Sequence, residues 1–214
     1  MSALVLALFF LLPSPPQTQR LSPTEIISAV SDYYGRLNSL SADFEQIQKD
    51  ANRTTRDRGH VYLKKGRKAR FDYVTPRAKI DYFNGTTHTR YLPDDQQATS
   101  EAMGKSEDER LLIFLILGNR ESPWKDEFDR KETETGSAMV PGNQVVRLIP
   151  NNTKNIRDVL VEVDPATRLI HRFGFTRADK TYTEYIFTNI KTAPLDDSLF
   201  EFKAPPGVDI FDRD

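Results

Sequence analysis

The 214-residue chain contains no cysteine. That excludes disulfides, thiol nucleophiles and Cys-ligated zinc or iron–sulfur centres. It also excludes the lipid-bearing cysteine of a membrane-anchored lipoprotein. Histidine is scarce: His60, His88 and His171 stand far apart, none at metal-ligand spacing. Each reads as an ordinary strand side chain, and no metal or other cofactor is expected. Charge of one sign is missing too. Thirty Lys and Arg face 31 Asp and Glu, for a formal net charge of −1. A nucleic-acid binder shows a basic excess or a strongly basic face, so no nucleic-acid partner is expected.

Catalytic signatures are equally sparse. There is no G-x-S-x-G elbow, phosphate loop or dinucleotide fingerprint. The adjacent pairs Asp94-Asp95 and Asp196-Asp197 read as turn residues, because neighbours on a strand point to opposite faces. The chain is not expected to be an enzyme.

What is present begins with a greasy terminus. Ala3 to Leu12, ALVLALFFLL, is ten apolar residues followed by the polar, helix-breaking PSPPQTQ. A membrane span needs ~20 such residues. Ten suit the apolar stretch of a signal peptide, so residues 1–19 read as an export signal ahead of one domain over 20–214. No Lys or Arg precedes that stretch and no A-x-A cleavage site follows it.

Ser22-Pro23-Thr24-Glu25 is a capping box with Pro at the first helical position. Ile26, Ile27, Val30, Tyr33, Tyr34, Leu37 and Leu40 then recur at helical spacing, which predicts a helix to about Leu40. Beyond it the period becomes two. Strands are expected at 41–49, 60–64, 69–74, 79–83 and 86–92, and again from Glu127 onward, most clearly at 145–149, 158–163, 169–176 and 181–190, with a last one in the tail. Asn84-Gly85, Pro93-Asp94-Asp95 and Asp164-Pro165 mark turns. A short helix is expected over 107–117, where acidic residues lead into LLIFLIL. The fold class is mainly β: one antiparallel sheet of about ten strands with two helices.

Two modest helices leave part of such a sheet uncovered. Phe71 and Tyr73 share a face of one strand, as do Ile80 with Tyr82, Val159 with Val161 and Val163, and Phe173 with Phe175. A broad, partly covered sheet closes into a barrel or keeps an apolar concavity. Such a concavity suits acyl chains, since each buried CH₂ contributes roughly 0.8 kcal/mol without directional contacts. Leu111 to Leu117, apolar all round, is either a core helix or a lid over that concavity.

Five segments in order resemble the periplasmic outer-membrane lipoprotein carrier (LolA) family, spanning about Leu37 to Asp212. They are LNSLSADFEQ, GHVYLKKGRKARFDYVTP, DYFNGTTHTRYLPDDQQAT, VLVEVDPATRLIHRFGF and PLDDSLFEFKAPPGVDIFD. The resemblance implies a sheet curled into an unclosed β-barrel, lidded by short helices over a hydrophobic cavity. It implies a monomeric periplasmic chaperone whose partners are acylated lipoproteins, an inner-membrane lipoprotein-releasing ABC transporter and an outer-membrane lipoprotein receptor. A free-lipid carrier, or an envelope-stress sensor of mislocalised lipoproteins, is the alternative on the same fold.

Carried onto this chain, the acyl-chain cavity is expected at Phe71, Tyr73, Ile80, Tyr82, Val161, Val163, Phe173 and Phe175. The lid falls at Leu111, Leu112, Phe114 and Leu115. Lys65 stands where the family has an arginine that latches the lid. It lacks the planar fork of guanidinium, so an equivalent latch is expected to be weaker or different. Gly66 replaces the neighbouring proline, and Ala69 stands where a large apolar residue is common.

Overall fold

The computed structural model describes residues 21–103, 128–134, 138–151 and 155–213. The expected signal segment and the expected helix over 107–117 lie outside these residues.

The first element is helix α1, Pro23–Arg36. The capping box forms: the Ser22 hydroxyl accepts from the Glu25 N–H at 3.3 Å, and the Glu25 carboxylate accepts from the Ser22 N–H at 2.8 Å. Ile26, Ile27, Val30 and Tyr34 are its buried stripe. The helix stops four residues before Leu40, because Leu37 takes an extended conformation and the first strand begins at Ser39.

The strands are β1 Ser39–Lys49, β2 Thr54–Lys64, β3 Lys68–Thr75, β4 Lys79–Asn84, β5 Thr87–Leu92, β6 Gln97–Ala102, β7 Phe128–Glu134, β8 Gln144–Pro150, β9 Ile156–Val163, β10 Ile170–Arg177, β11 Tyr182–Lys191 and β12 Asp209–Arg213. They form one sheet in the order β12-β6-β5-β4-β3-β2-β1-β11-β10-β9-β8-β7. β12 and β7 are its two edges, so the sheet is an unclosed barrel rather than a ring. The expectation of a wholly antiparallel sheet needs one correction. β12 lies parallel to β6, Asp209 opposite Gln97, because residues 192–208 run back across the sheet before pairing.

Two strands elude the apolar alternation. β6 is polar on both sides and buries only Ala98. The first half of β2, TTRDRG, is polar as well and is held by pairing with β1, Gln46 opposite Asp57. Gly59 ends that half for a steric reason. A Cβ there would lie 1.9 Å from the Asp72 carbonyl oxygen, at the irregularity where β2 meets β3. Only glycine permits so close an approach.

One face of the sheet carries a single hydrophobic core shared by α1, β1–β4 and β7–β11. α1 closes one end of it. The Gln144 side chain of β8 brackets Leu21, donating to its carbonyl at 2.9 Å and accepting from its N–H at 3.2 Å. The Tyr34 hydroxyl accepts from the Ile170 N–H at the start of β10, at 3.0 Å. The opposite end of the sheet carries the tight turns 50–53, 76–78 and 178–181.

Candidate functional site

The core face of β1, β3, β4 and β11 is aromatic. Alternation along β3 buries Ala69, Phe71 and Tyr73 together. β1 contributes Leu40, Ala42 and Phe44, and β11 contributes Tyr185 and Phe187. Phe44 is the hub: its ring centroid lies 5.7 Å from Phe71, 5.0 Å from Tyr73 and 6.2 Å from Tyr185. Phe71 in turn meets Phe83 of β4 edge-on at 6.3 Å. Gly59, on the strand between Phe44 and Tyr73, has no side chain to part them. Toward α1 and β8 the same face turns aliphatic. Val161 pairs with Phe173 and Val159 with Phe175, while Val163 lies opposite Ile170. Six of the eight expected cavity residues, Phe71, Tyr73, Val161, Val163, Phe173 and Phe175, thus share one buried face.

Ile80 and Tyr82 do not. β4 pairs with β3 so that Phe71 is opposite Asp81 and Ala69 opposite Phe83. The odd-numbered residues of β4 therefore join the core, and Ile80 and Tyr82 point to the outer face. A strand register is fixed by its turn, and a slip of one residue exchanges the faces. Tyr82 is instead covered from outside by the segment that leads to β12. Phe202 packs on Tyr82 at 5.5 Å and on Tyr91 at 5.4 Å, and Phe200 beside it is fully buried.

Phe44, Phe83, Tyr185 and Phe187 belong to the same buried face and were not among the residues expected there. The alternation L-x-A-x-F over Leu40–Phe44 and the Tyr185-x-Phe187 pair were the available signals.

One charged cluster lies on the core face of β4 and β5. The buried Asp81 carboxylate accepts from Arg90 through both oxygens, at 2.7 and 3.0 Å, and from the His88 ring at 3.1 Å. The other ring nitrogen of His88 meets Glu101 at 3.2 Å, and the ring stacks on Phe83 at 4.3 Å. Burial alone would raise the Asp81 pKa, but the hydrogen bonds from His88 and Arg90 and their charge hold it below the ordinary carboxylate value. Tyr73 titrates well above a free phenol, first because it is buried and then because Tyr185 and Asp81 are near.

The basic run of 64–70 is committed internally. Lys64 donates to the Leu195 carbonyl at 2.6 Å and pairs with Asp197, which also takes Lys68 at 3.2 Å. Arg70 grips Asp72 through two bonds and covers the Tyr82 ring at 5.0 Å. Lys65 donates to the Gly35 carbonyl at 2.8 Å, in the last turn of α1. The element it pins is therefore α1. The lid positions Leu111, Leu112, Phe114 and Leu115 lie outside the described residues. Among the described residues no three His, Asp or Glu side chains converge on a metal position. Nor is any helix among them long and apolar enough to cross a membrane.

Known proteins resemble this chain in sequence and in fold. The protein from Methylococcus capsulatus named outer-membrane lipoprotein carrier protein is 26% identical over 193 residues, covering 86% of each chain. Its namesake from Haemophilus influenzae is 26% identical over 198 residues, 90% of this chain and 91% of that one. Among solved structures, an uncharacterised conserved protein from Thermus thermophilus superposes with a TM-score of 0.55 at 14% identity, covering 88% of this chain and 98% of that one. The Mycobacterium tuberculosis lipoprotein LppX gives 0.50 at 12% identity over 81% of this chain and 97% of its own. The family model for the outer membrane lipoprotein carrier protein LolA matches residues 35–203, and the chain belongs to that family.

Proposed function

We propose that this chain is a periplasmic chaperone that carries acylated lipoproteins, taking them from an inner-membrane ABC transporter and passing them to an outer-membrane receptor. It works as a monomer and catalyses no reaction. The observation that carries the reading is the aromatic cluster around Phe44, on one face of an open-edged sheet in a chain of the lipoprotein-carrier family. Edge-to-face rings hold one another by ~0.5–1.5 kcal/mol per pair. Inserted acyl chains replace those contacts at small cost and add roughly 0.8 kcal/mol per buried CH₂. The six residues Phe71, Tyr73, Val161, Val163, Phe173 and Phe175 line the proposed cavity, and Leu111, Leu112, Phe114 and Leu115 its lid. Lys65 acts as a latch through α1, by its bond to Gly35.

Spheroplasts carrying newly made lipoproteins, incubated with protein lacking residues 1–19, provide the test. ATP-dependent release of lipoprotein into the soluble fraction, in complex with this protein, is expected. Absence of release, with phospholipid co-purifying instead, overturns the reading in favour of a free-lipid carrier. Absence of release with mislocalised lipoprotein bound overturns it in favour of a sensor.

A further inference from the structure

A surface built for hydrocarbon alone would be apolar to its end, and this one is not. Past the Phe44 and Tyr73 rings, toward the turns 50–53 and 178–181, the core face carries a row of polar side chains. Gln46 of β1 stands opposite Tyr185 on one side and Asp57 on the other. Lys79 lies 3.9 Å over the Tyr73 ring and 3.9 Å from the Asp57 carboxylate. The Gln46 amide donates to the Tyr185 hydroxyl at 2.9 Å, and both residues are buried.

Two residues before Tyr185 on the same face of β11 is Thr183, opposite Gln48 and Phe175. It is 2% exposed, and among the described residues its hydroxyl has no hydrogen-bond partner. Such an orphan costs stability, and in a native protein it needs a reason. Here it stands where aromatic lining gives way to polar lining. That is where an acyl chain stops being hydrocarbon.

We propose that the Thr183 hydroxyl, beside the Gln46–Tyr185 pair, is the subsite for the carbonyl oxygen of an ester- or amide-linked acyl chain. The inference rests on the carrier reading and gives the bound chain a direction: its tail points toward α1 and its carbonyl toward the turns. Without a ligand the hydroxyl has no partner among the described residues, and in the loaded protein it donates to the carbonyl. Loading therefore gives the hydroxyl an acceptor.

The test uses the full chain and three ligands: a synthetic triacylated lipopeptide, diacyl phosphatidylglycerol, and its dialkyl ether counterpart, which has the same chains without carbonyls. The wild-type protein should prefer the diacyl lipid to the ether by about fivefold, the ratio expected of one net hydrogen bond. Thr183→Val, which keeps the shape, should abolish that preference, and Thr183→Ser should restore it. A matching loss of lipopeptide affinity in Thr183→Val assigns the subsite to protein-linked chains. A loss confined to phosphatidylglycerol assigns it to free lipid. If chains bind but the ester preference is the same in wild type and Thr183→Val, the subsite is wrong and the carrier reading stands. If none of the three ligands binds, both fall.

Discussion

Phe71 and Tyr82 are bulky aromatics on neighbouring strands, yet they close opposite faces of one sheet in different ways. Phe71 joins Phe44, Tyr73 and Phe83 in a cluster whose members hold one another ring to ring. Tyr82 is sealed by its own chain: residues 192–208 cross the outer face and set Phe200 and Phe202 against it before β12 pairs with β6. That strap is fastened at intervals by Ser39 to the Ala193 carbonyl, Lys64 and Lys68 to Asp197, and Asn84 to Glu201. The inner cluster is thus closed by contacts that a ligand can replace in kind. The outer one is closed by a covalently attached cover. Apolar area alone does not mark a binding surface; what covers the area decides.

Truncation on each face should separate the two. Phe44→Ala removes the hub of the inner cluster and should show the largest effect, ~3–5 kcal/mol lost in denaturant unfolding together with loss of acyl-chain binding. Phe200→Ala opens the fully buried outer position. It should cost ~3–4 kcal/mol and leave the affinity of the surviving folded protein for acyl chains within twofold of wild type. Equal loss of affinity in both variants would erase the distinction between the faces.

How much of this was legible depended on how each feature is encoded. α1 was written twice, in its capping box and its apolar period, and it forms at Ser22 as expected. Strands with one buried face were visible as alternation. β6 and the first half of β2 were not, because they exist through their neighbours' hydrogen bonds rather than their own apolar residues. Of the eight residues expected to share one face, Ile80 and Tyr82 lie on the other. Alternation told that they share a face with each other, but which face depends on the register set by the turn over 76–78. Lys65 could be picked out by its position, but its partner Gly35 is 30 residues away and met only in three dimensions.

The charged cluster inside the aromatic face is a test by pH. The Asp81 pKa is depressed in the folded protein, so the carboxylate adds stability above the unfolded pKa of ~3.9 and loses it as pH falls through the folded value. Unfolding free energy of the wild type should therefore decline below about pH 4. Asp81→Asn should be less stable at neutral pH, because it removes the charged acceptor shared by Arg90 and His88, and should decline less steeply in acid. Parallel acid limbs for the two proteins would show that Asp81 does not carry the dependence.

The smallest effect expected is at Lys65, and it probes the junction of the two faces. The helix leaves its last carbonyls without intrahelical partners, and the Lys65 ammonium satisfies one of them at Gly35. A cation at that end also suits the helix dipole. Lys65→Met keeps the apolar stem and removes the bond, so stability should drop by only ~1 kcal/mol. Hydrogen exchange should localise the change to the amides of the last turn of α1, with β3 amides unaffected. If Lys65 latches the protein closed through α1, the same variant should bind acyl chains more tightly, because less is spent in moving the helix. Unchanged affinity beside faster exchange in α1 would make Lys65 a helix cap and nothing more.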